Sequence, residues 1–531
     1  MKLFITLLTG LLLSATSFVF AQEPVYQCGE ILNNDNPPAP FTKVIASDDN
    51  SFYILREGGP ITQPVVVLEK YDYTYKKLFS KSILASTFGS MGNSLLYKKV
   101  LAGNGKFYVF YDGWIAAEHK AYYHVKTFDT NGDEVGTGRE LETMTAEKQG
   151  NSGNYLPALS PDKSKLIILA EMPHVKEAQE KITIKVIETS TWKDLWRKEI
   201  TLDNVSKKGP SNTPQVDNQG NAYVFKTIVS AKEGDQVFIY TCSASTQEWK
   251  QNVITNAGRS INKSDFFINK DGDAVLVGLQ STSRFNFQGT VYARVNGKTL
   301  ALEANKWEGF GEGFLRNFMS ESKATKPDAE LINLNIKNVY TRSDGNTLLV
   351  IEEESEDKSP VTPGSFEWIH TVRDYAISVL CFAKDGSRPW TTVLQKNQTN
   401  ASKDKDTRFV SAVCAMVNDK LYVLWNNTNL TPSTIPPQSW KEIDGTKYEK
   451  IRVFDPKTTF HATFMWVVEP DGKQTYAVNK LFGLPLANLH KGSPFELSLN
   501  PNIFLSTPDG IIVMSEMMDK AKRYRFCKIR L

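Results

Sequence analysis

From about residue 45 onward, apolar residues fall in short unbroken runs of four or five, each entered through a tight polar turn. Residues 268–279 show the unit well: Asn269, Lys270, Asp271 and Gly272 form the turn, and Ala274, Val275, Leu276 and Val277 follow it. The glycine supplies the positive φ of a short hairpin turn, and the run behind it has the composition of a strand and no helical period. The same unit returns at 45–55, 101–110, 160–169, 216–225, 341–350, 416–425 and 506–515, at intervals of roughly 50 to 90 residues. After each comes a second, looser hairpin, as in 65–79, 124–141 and 182–200. Each unit therefore predicts four strands. The first two are apolar enough to be buried on both faces, and the fourth alternates and carries Lys, Arg and Glu, as an outer edge does.

Four-stranded units repeated down a chain resemble the β-propeller superfamily at the level of architecture, and the resemblance covers nearly the whole chain. The expected fold is all-β, an eight-bladed propeller, with seven blades as the alternative. The eighth unit is one strand short, because after 506–515 only 524–529 remains. Residues 25–32 form an unclaimed strand-like segment, so closure of the eighth blade by the N-terminal strand is expected, which also removes a sheet edge. This arrangement puts Cys28 beside Cys527 as a disulfide candidate.

Connections within the hairpins are short, whereas those between the second and third strands and between units are long and fall on one face. They grow toward the C-terminal half, with insertions expected at 303–330, 352–375, 426–450 and 482–498. The first of these has helical character.

Residues 1–21 carry one basic residue, an apolar stretch and a Val-Phe-Ala end, the form of a signal peptide. A single domain is expected over 22–531, with no transmembrane segment in the mature chain, in an exported protein, periplasmic or secreted. The Ala-Gln at the junction resembles the signals of Bacteroidota cell-envelope proteins. A net charge of +3 over 531 residues gives no basis for binding nucleic acid. The five cysteines are scattered and form no CxxC pair, so neither a metal knuckle nor a redox motif is present.

Candidate chemistry is sparse. Residues 191–197 (TWKDLWR) resemble the docking segment of quinoprotein propellers, but Trp192 stands where that segment has Gly and no other unit repeats it. A tryptophan pinning a hairpin to its neighbour accounts for it. Residues 506–510 begin like a sialidase Asp box and then continue Ile-Ile-Val. Glu118, His119 and His124 have the chemistry of metal ligands or of an acid and base, yet their spacing sets no common direction. The acidic run 352–357 reads as a solvated loop.

What remains is aromatic content in the long connections. Trp114, Phe310, Trp307, Trp368 and Trp440 are the candidate partner-binding anchors, against the alternative that they tuck back as lids. No catalytic, metal or cofactor site is assigned. The expected function is that of an exported, non-catalytic platform binding an envelope protein, in an outer-membrane secretion or transport assembly in its more particular form. The alternative is an extracellular or periplasmic hydrolase or lyase acting on a glycan or peptide, with a glycan as ligand.

Overall fold

The computed structural model describes residues 25–34, 38–60, 63–84, 93–205, 211–228, 235–256, 258–281, 286–362, 364, 366–396, 398–403, 409–428, 461–477, 497–517 and 523–531. Among them are eight antiparallel sheets of four or more strands and one two-stranded ribbon. The first sheet runs Phe41–Ser47, Ser51–Gly58, Val65–Asp72 and Lys77–Ser82 in spatial as in chain order. Six more follow at 93–145, 154–205, 212–253, 260–309, 334–394 and 412–477. The eighth takes Leu497–Thr507, Gly510–Met517 and Arg523–Arg530 from the end of the chain, and Val25–Cys28 pairs on the outside of Arg523–Arg530. This is a β-propeller-like fold, with the N-terminal strand paired to the C-terminal one as the unit count implied.

The turn that opens each sheet has a local cause. Asn269 Oδ1 accepts from the backbone N–H of Asp271 at 3.0 Å and of Asp273 at 2.9 Å, and Gly272 takes φ 85°. Asp217 does the same for Gln219 and Asn221, each at 2.9 Å, with Gly220 at φ 88°. A short acceptor side chain followed by a residue free to adopt positive φ closes the hairpin without strain.

Packing follows the apolar runs. Buried clusters join neighbouring sheets in succession, from Tyr53, Leu55 and Val109 between sheets one and two to Val413, Leu499 and Val513 between seven and eight. A further one joins the ends of the array, where Phe52, Ile54 and Tyr71 of sheet one pack on Met514, Tyr524 and Phe526 of sheet eight. There the Tyr71 and Tyr524 hydroxyls lie 2.9 Å apart, and the Phe52 and Phe526 rings meet edge to face at 5.2 Å. Each sheet is thus covered on both faces by its neighbours. In sheet one the first strand is less buried than the second: Phe41–Ser47 has no fully buried residue, whereas Ser51–Gly58 has six in succession. A first strand has a free edge, so only its second strand covers it from within the sheet.

Two insertions take a different form from the one the sequence suggested. Residues 303–330 begin as the outer strand of sheet five, Leu302–Gly309, and only then turn into two short helices, Glu312–Leu315 and Glu321–Ala324. Residues 352–375 are no irregular loop. The second and third strands of sheet six, Thr347–Pro360 and Trp368–Phe382, continue as a long hairpin, joined on one side by Gln398–Ser402. The insertions at 426–450 and 482–498 lie almost wholly outside the described residues, as does the segment 1–21. Among the described residues no helix is long and apolar enough to cross a membrane.

Candidate functional face

The short turns at one end of the second strands place the other ends of those strands together on the long-connection side. There each apolar run stops at a polar residue: Arg56, Asp112, Glu171, Lys226, Gln280, Glu352, Asn426 and Glu516. All but Asp112 are at most 6% exposed. A buried charge at such a position requires a partner, and most have one. Arg56 pairs with Glu69 at 3.0 Å, Lys226 with Glu180 at 2.5 Å, and Glu516 accepts from Asn500 at 2.7 Å.

Glu352 anchors the most developed of these networks, at the boundary of sheets six and seven. It has no exposed surface, and its carboxylate meets Lys396 Nζ at 2.7 Å and Lys337 Nζ at 3.1 Å and accepts from Ser411 Oγ at 2.6 Å. Lys396 reaches on to Gln398 Oε1 at 2.8 Å, and Gln398 Nε2 donates to Asn426 O at 2.9 Å, which ties the hairpin to sheet seven. Burial alone would push the Glu352 carboxyl up, but the two ammonium groups outweigh it and hold it low. Asp374, 2% exposed, lies in the same network; burial, reinforced by the Glu352 charge, pushes it up to about 7. Burial likewise pushes Glu353 up to about 7. The buried Cys414 thiol is raised to about 12 by burial and by Glu352, which keeps it neutral and unreactive. Two carboxylates with separated pKa values resemble an acid–base pair. Sealed at 0% and 2% exposure, however, they present no surface to a substrate.

Above this network the hairpin extends outward. His370 Nδ1 and Glu356 Oε1 are 2.7 Å apart, and Arg373 pairs with Asp357, so its arms are laced by polar side chains. Its tip is apolar. Phe366 is 99% exposed and Trp368 is 49% exposed.

The other aromatic candidates are placed differently. Trp114 lies in the strand Lys106–Ile115, which runs on past its apolar stretch, and its ring is 8% exposed in a cluster with Ala121 and Tyr123. Phe310 is 3% exposed and stacks on Phe314 at 4.8 Å. Neither is a surface anchor; both are core residues. Trp307 belongs to an outer strand and is half-buried, donating Nε1 to Ile254 O at 3.0 Å. Trp440 lies outside the described residues. Trp196 of the 191–197 segment donates Nε1 to Gly220 O at 3.0 Å, pinning sheet three to the opening turn of sheet four. Trp390 does the same to Pro470 O at 3.2 Å between sheets six and seven. His119 and His124 join no metal site: among the described residues no group of three or more His, Cys, Asp or Glu is placed to hold an ion. Cys28 and Cys527 stand opposite each other in the strand pairing and are joined by a disulfide.

The short helices of 312–324 roof a cavity of about 380 Å³ over the same end of sheet five. Arg259, Gln280, Gln288 and Trp307 line it.

No family model matches the chain, and no curated protein matches it. Several solved structures are similar in outline. BamB from Moraxella catarrhalis aligns at 13% identity over 72% of this chain and 82% of its own, with a TM-score of 0.31. The β-propeller domain of the Trilobed protease from Pyrococcus furiosus aligns at 9% identity over 86% and 99%, with a TM-score of 0.34. The WD40 domain of SCAP from fission yeast aligns at 7% over 96% and 98%, also at 0.34. At such scores the fold is read from the sheets themselves.

Proposed function

We propose that the eight sheets are the blades of one closed propeller and that the chain is an exported, non-catalytic platform that binds a protein of the cell envelope. In its more particular form, the platform belongs to an outer-membrane secretion or transport assembly. The observation that carries the reading is the hairpin of sheet six. A strand-paired arm stands out from the long-connection side and ends in Phe366, 99% exposed, and Trp368, 49% exposed. Large aromatics on a preformed arm are effective interface anchors, because little ordering entropy opposes their burial by a partner.

Capture of a partner from the native envelope by the tagged protein tests this. Phe366→Ala and Trp368→Ala should each weaken capture by about 2 kcal/mol or more while leaving the melting temperature unchanged. Undiminished capture by the double variant, with loss on altering Asp271 or Asp344 of the short-turn side, would place the partner on the opposite face. The second reading is a hydrolase or lyase for an extracellular glycan or peptide. The carboxylates gathered at Glu352 and Asp374 favour it, and their burial weighs against it.

A further inference from the structure

The cavity over sheet five gathers an amide, a guanidinium and an indole in one wall. Gln280 is 4% exposed and lines the cavity, and among the described residues its side-chain amide has no hydrogen-bond partner. Room for that amide comes from Gly289 on the neighbouring strand, where a Cβ would sit 2.3 Å from Gln280 Nε2. Arg259 also lines the cavity and is half-buried, and among the described residues its guanidinium has one partner, the Gln288 side-chain oxygen. Gln288 is held in that orientation by donating its Nε2 to Glu330 Oε1 at 2.8 Å. A guanidinium has five N–H donors, so most of those on Arg259 remain unused by the described residues. The carboxylate in the cavity wall, Glu312, is occupied by Arg316. Lys326 adds a second cation, and Trp307 forms part of the wall.

The Gln280 amide and the spare N–H donors of Arg259 border one cavity, so hydrogen-bonding capacity is left there for a polar ligand. The volume of about 380 Å³ lies in the lower part of the range for small-ligand sites, about 300–1,000 Å³. A carboxylate suits the guanidinium fork, which binds it through two parallel hydrogen bonds. An amide that both donates and accepts suits a neighbouring hydroxyl, and an indole wall suits the apolar face of a sugar ring. From this geometry we infer that the cavity is a binding site for a uronic acid, the acidic sugar of an anionic glycan, with Arg259 holding the carboxylate and Gln280 a ring hydroxyl. The inference stands independently of the platform reading, because the cavity lies over sheet five and the arm belongs to sheet six.

Calorimetric titration of the whole exported protein with glucuronate tests it. Saturable binding is expected, at least tenfold tighter than for glucose or for glucuronamide, which keeps the shape and lacks the charge. Arg259→Met should reduce glucuronate to the level of glucose, with melting temperature unchanged. If that variant does not fold, the comparison of glucuronate with glucuronamide on the unaltered protein decides the same point. Absence of saturable glucuronate binding, or equal binding of glucuronate and glucuronamide, would overturn the assignment. Glutamate binding as tightly as glucuronate would overturn the sugar and leave a site for amino-acid or peptide carboxylates.

Discussion

Glu352 is a fully buried carboxylate whose removal would take from two ammonium groups, Lys396 and Lys337, the carboxylate that both contact. Breaking a buried pair from one side costs about 3–5 kcal/mol, so Glu352→Ala should lose about that much unfolding free energy in denaturant titration. Its neighbour Asp374 acts in the opposite sense. With a folded pKa of about 7 against about 3.9 when unfolded, the native state binds the extra proton between those values. Stability from Asp374 therefore falls as pH rises through about 4 to 7. Asp374→Asn should lessen the decline and leave the part due to Glu353, also raised to about 7, which unfolding curves taken across the window would show, whereas stability from Glu352 is lost as pH falls from the ordinary carboxylate range through its depressed pKa. None of this was visible in the acidic run 352–357, because three consecutive glutamates read as solvated and the compensating Lys337, Lys396 and Ser411 lie far along the chain. A usable signal was present in the repeat itself. The polar residue closing each apolar run, from Arg56 to Glu516, recurs at the same place in every unit, and strands that end on one face bring such residues to one level.

Among the elements, the hairpin of sheet six and the outer strand of sheet five separate aromatics that look alike in sequence. Trp114 and Phe310 are core residues, so Trp114→Ala and Phe310→Ala should each destabilise the fold by about 3–5 kcal/mol. Trp368→Ala, at the exposed tip, should stay within about 0.5 kcal/mol of the parent; thermal or chemical unfolding of the three variants gives the contrast. Sequence placed all three in long connections because the strands bearing them lose their apolar pattern before they end. Trp114 follows Asp112 and Gly113, Phe310 follows the alternating strand Leu302–Gly309, and the arms leading to Trp368 carry charges on both sides. Partners across the sheet, which no local pattern reports, keep these segments extended.

For the molecule as a whole, the array was legible because its turn and its apolar run are both local and repeat together. The junction between its ends was legible only by subtraction, from a unit short of one strand. That junction is fastened by Cys28 and Cys527, 499 residues apart. Loop-entropy arithmetic for so long a span gives roughly 6 kcal/mol, and measured disulfides seldom exceed about 5. Cys28→Ser should therefore lower the melting temperature of oxidised protein and make no difference to protein melted under reductant. Seen in time rather than in space, the same bond has another meaning. During synthesis Cys28 emerges first, and Cys242, Cys381 and Cys414 pass by before Cys527 exists. Folding traps those three in the core as free thiols, yet an oxidant acting on the nascent chain would find them before the correct mate. Correct maturation thus depends on the order of events, with packing ahead of oxidation, and a cell lacking thiol–disulfide reshuffling should accumulate chains locked by the wrong pair.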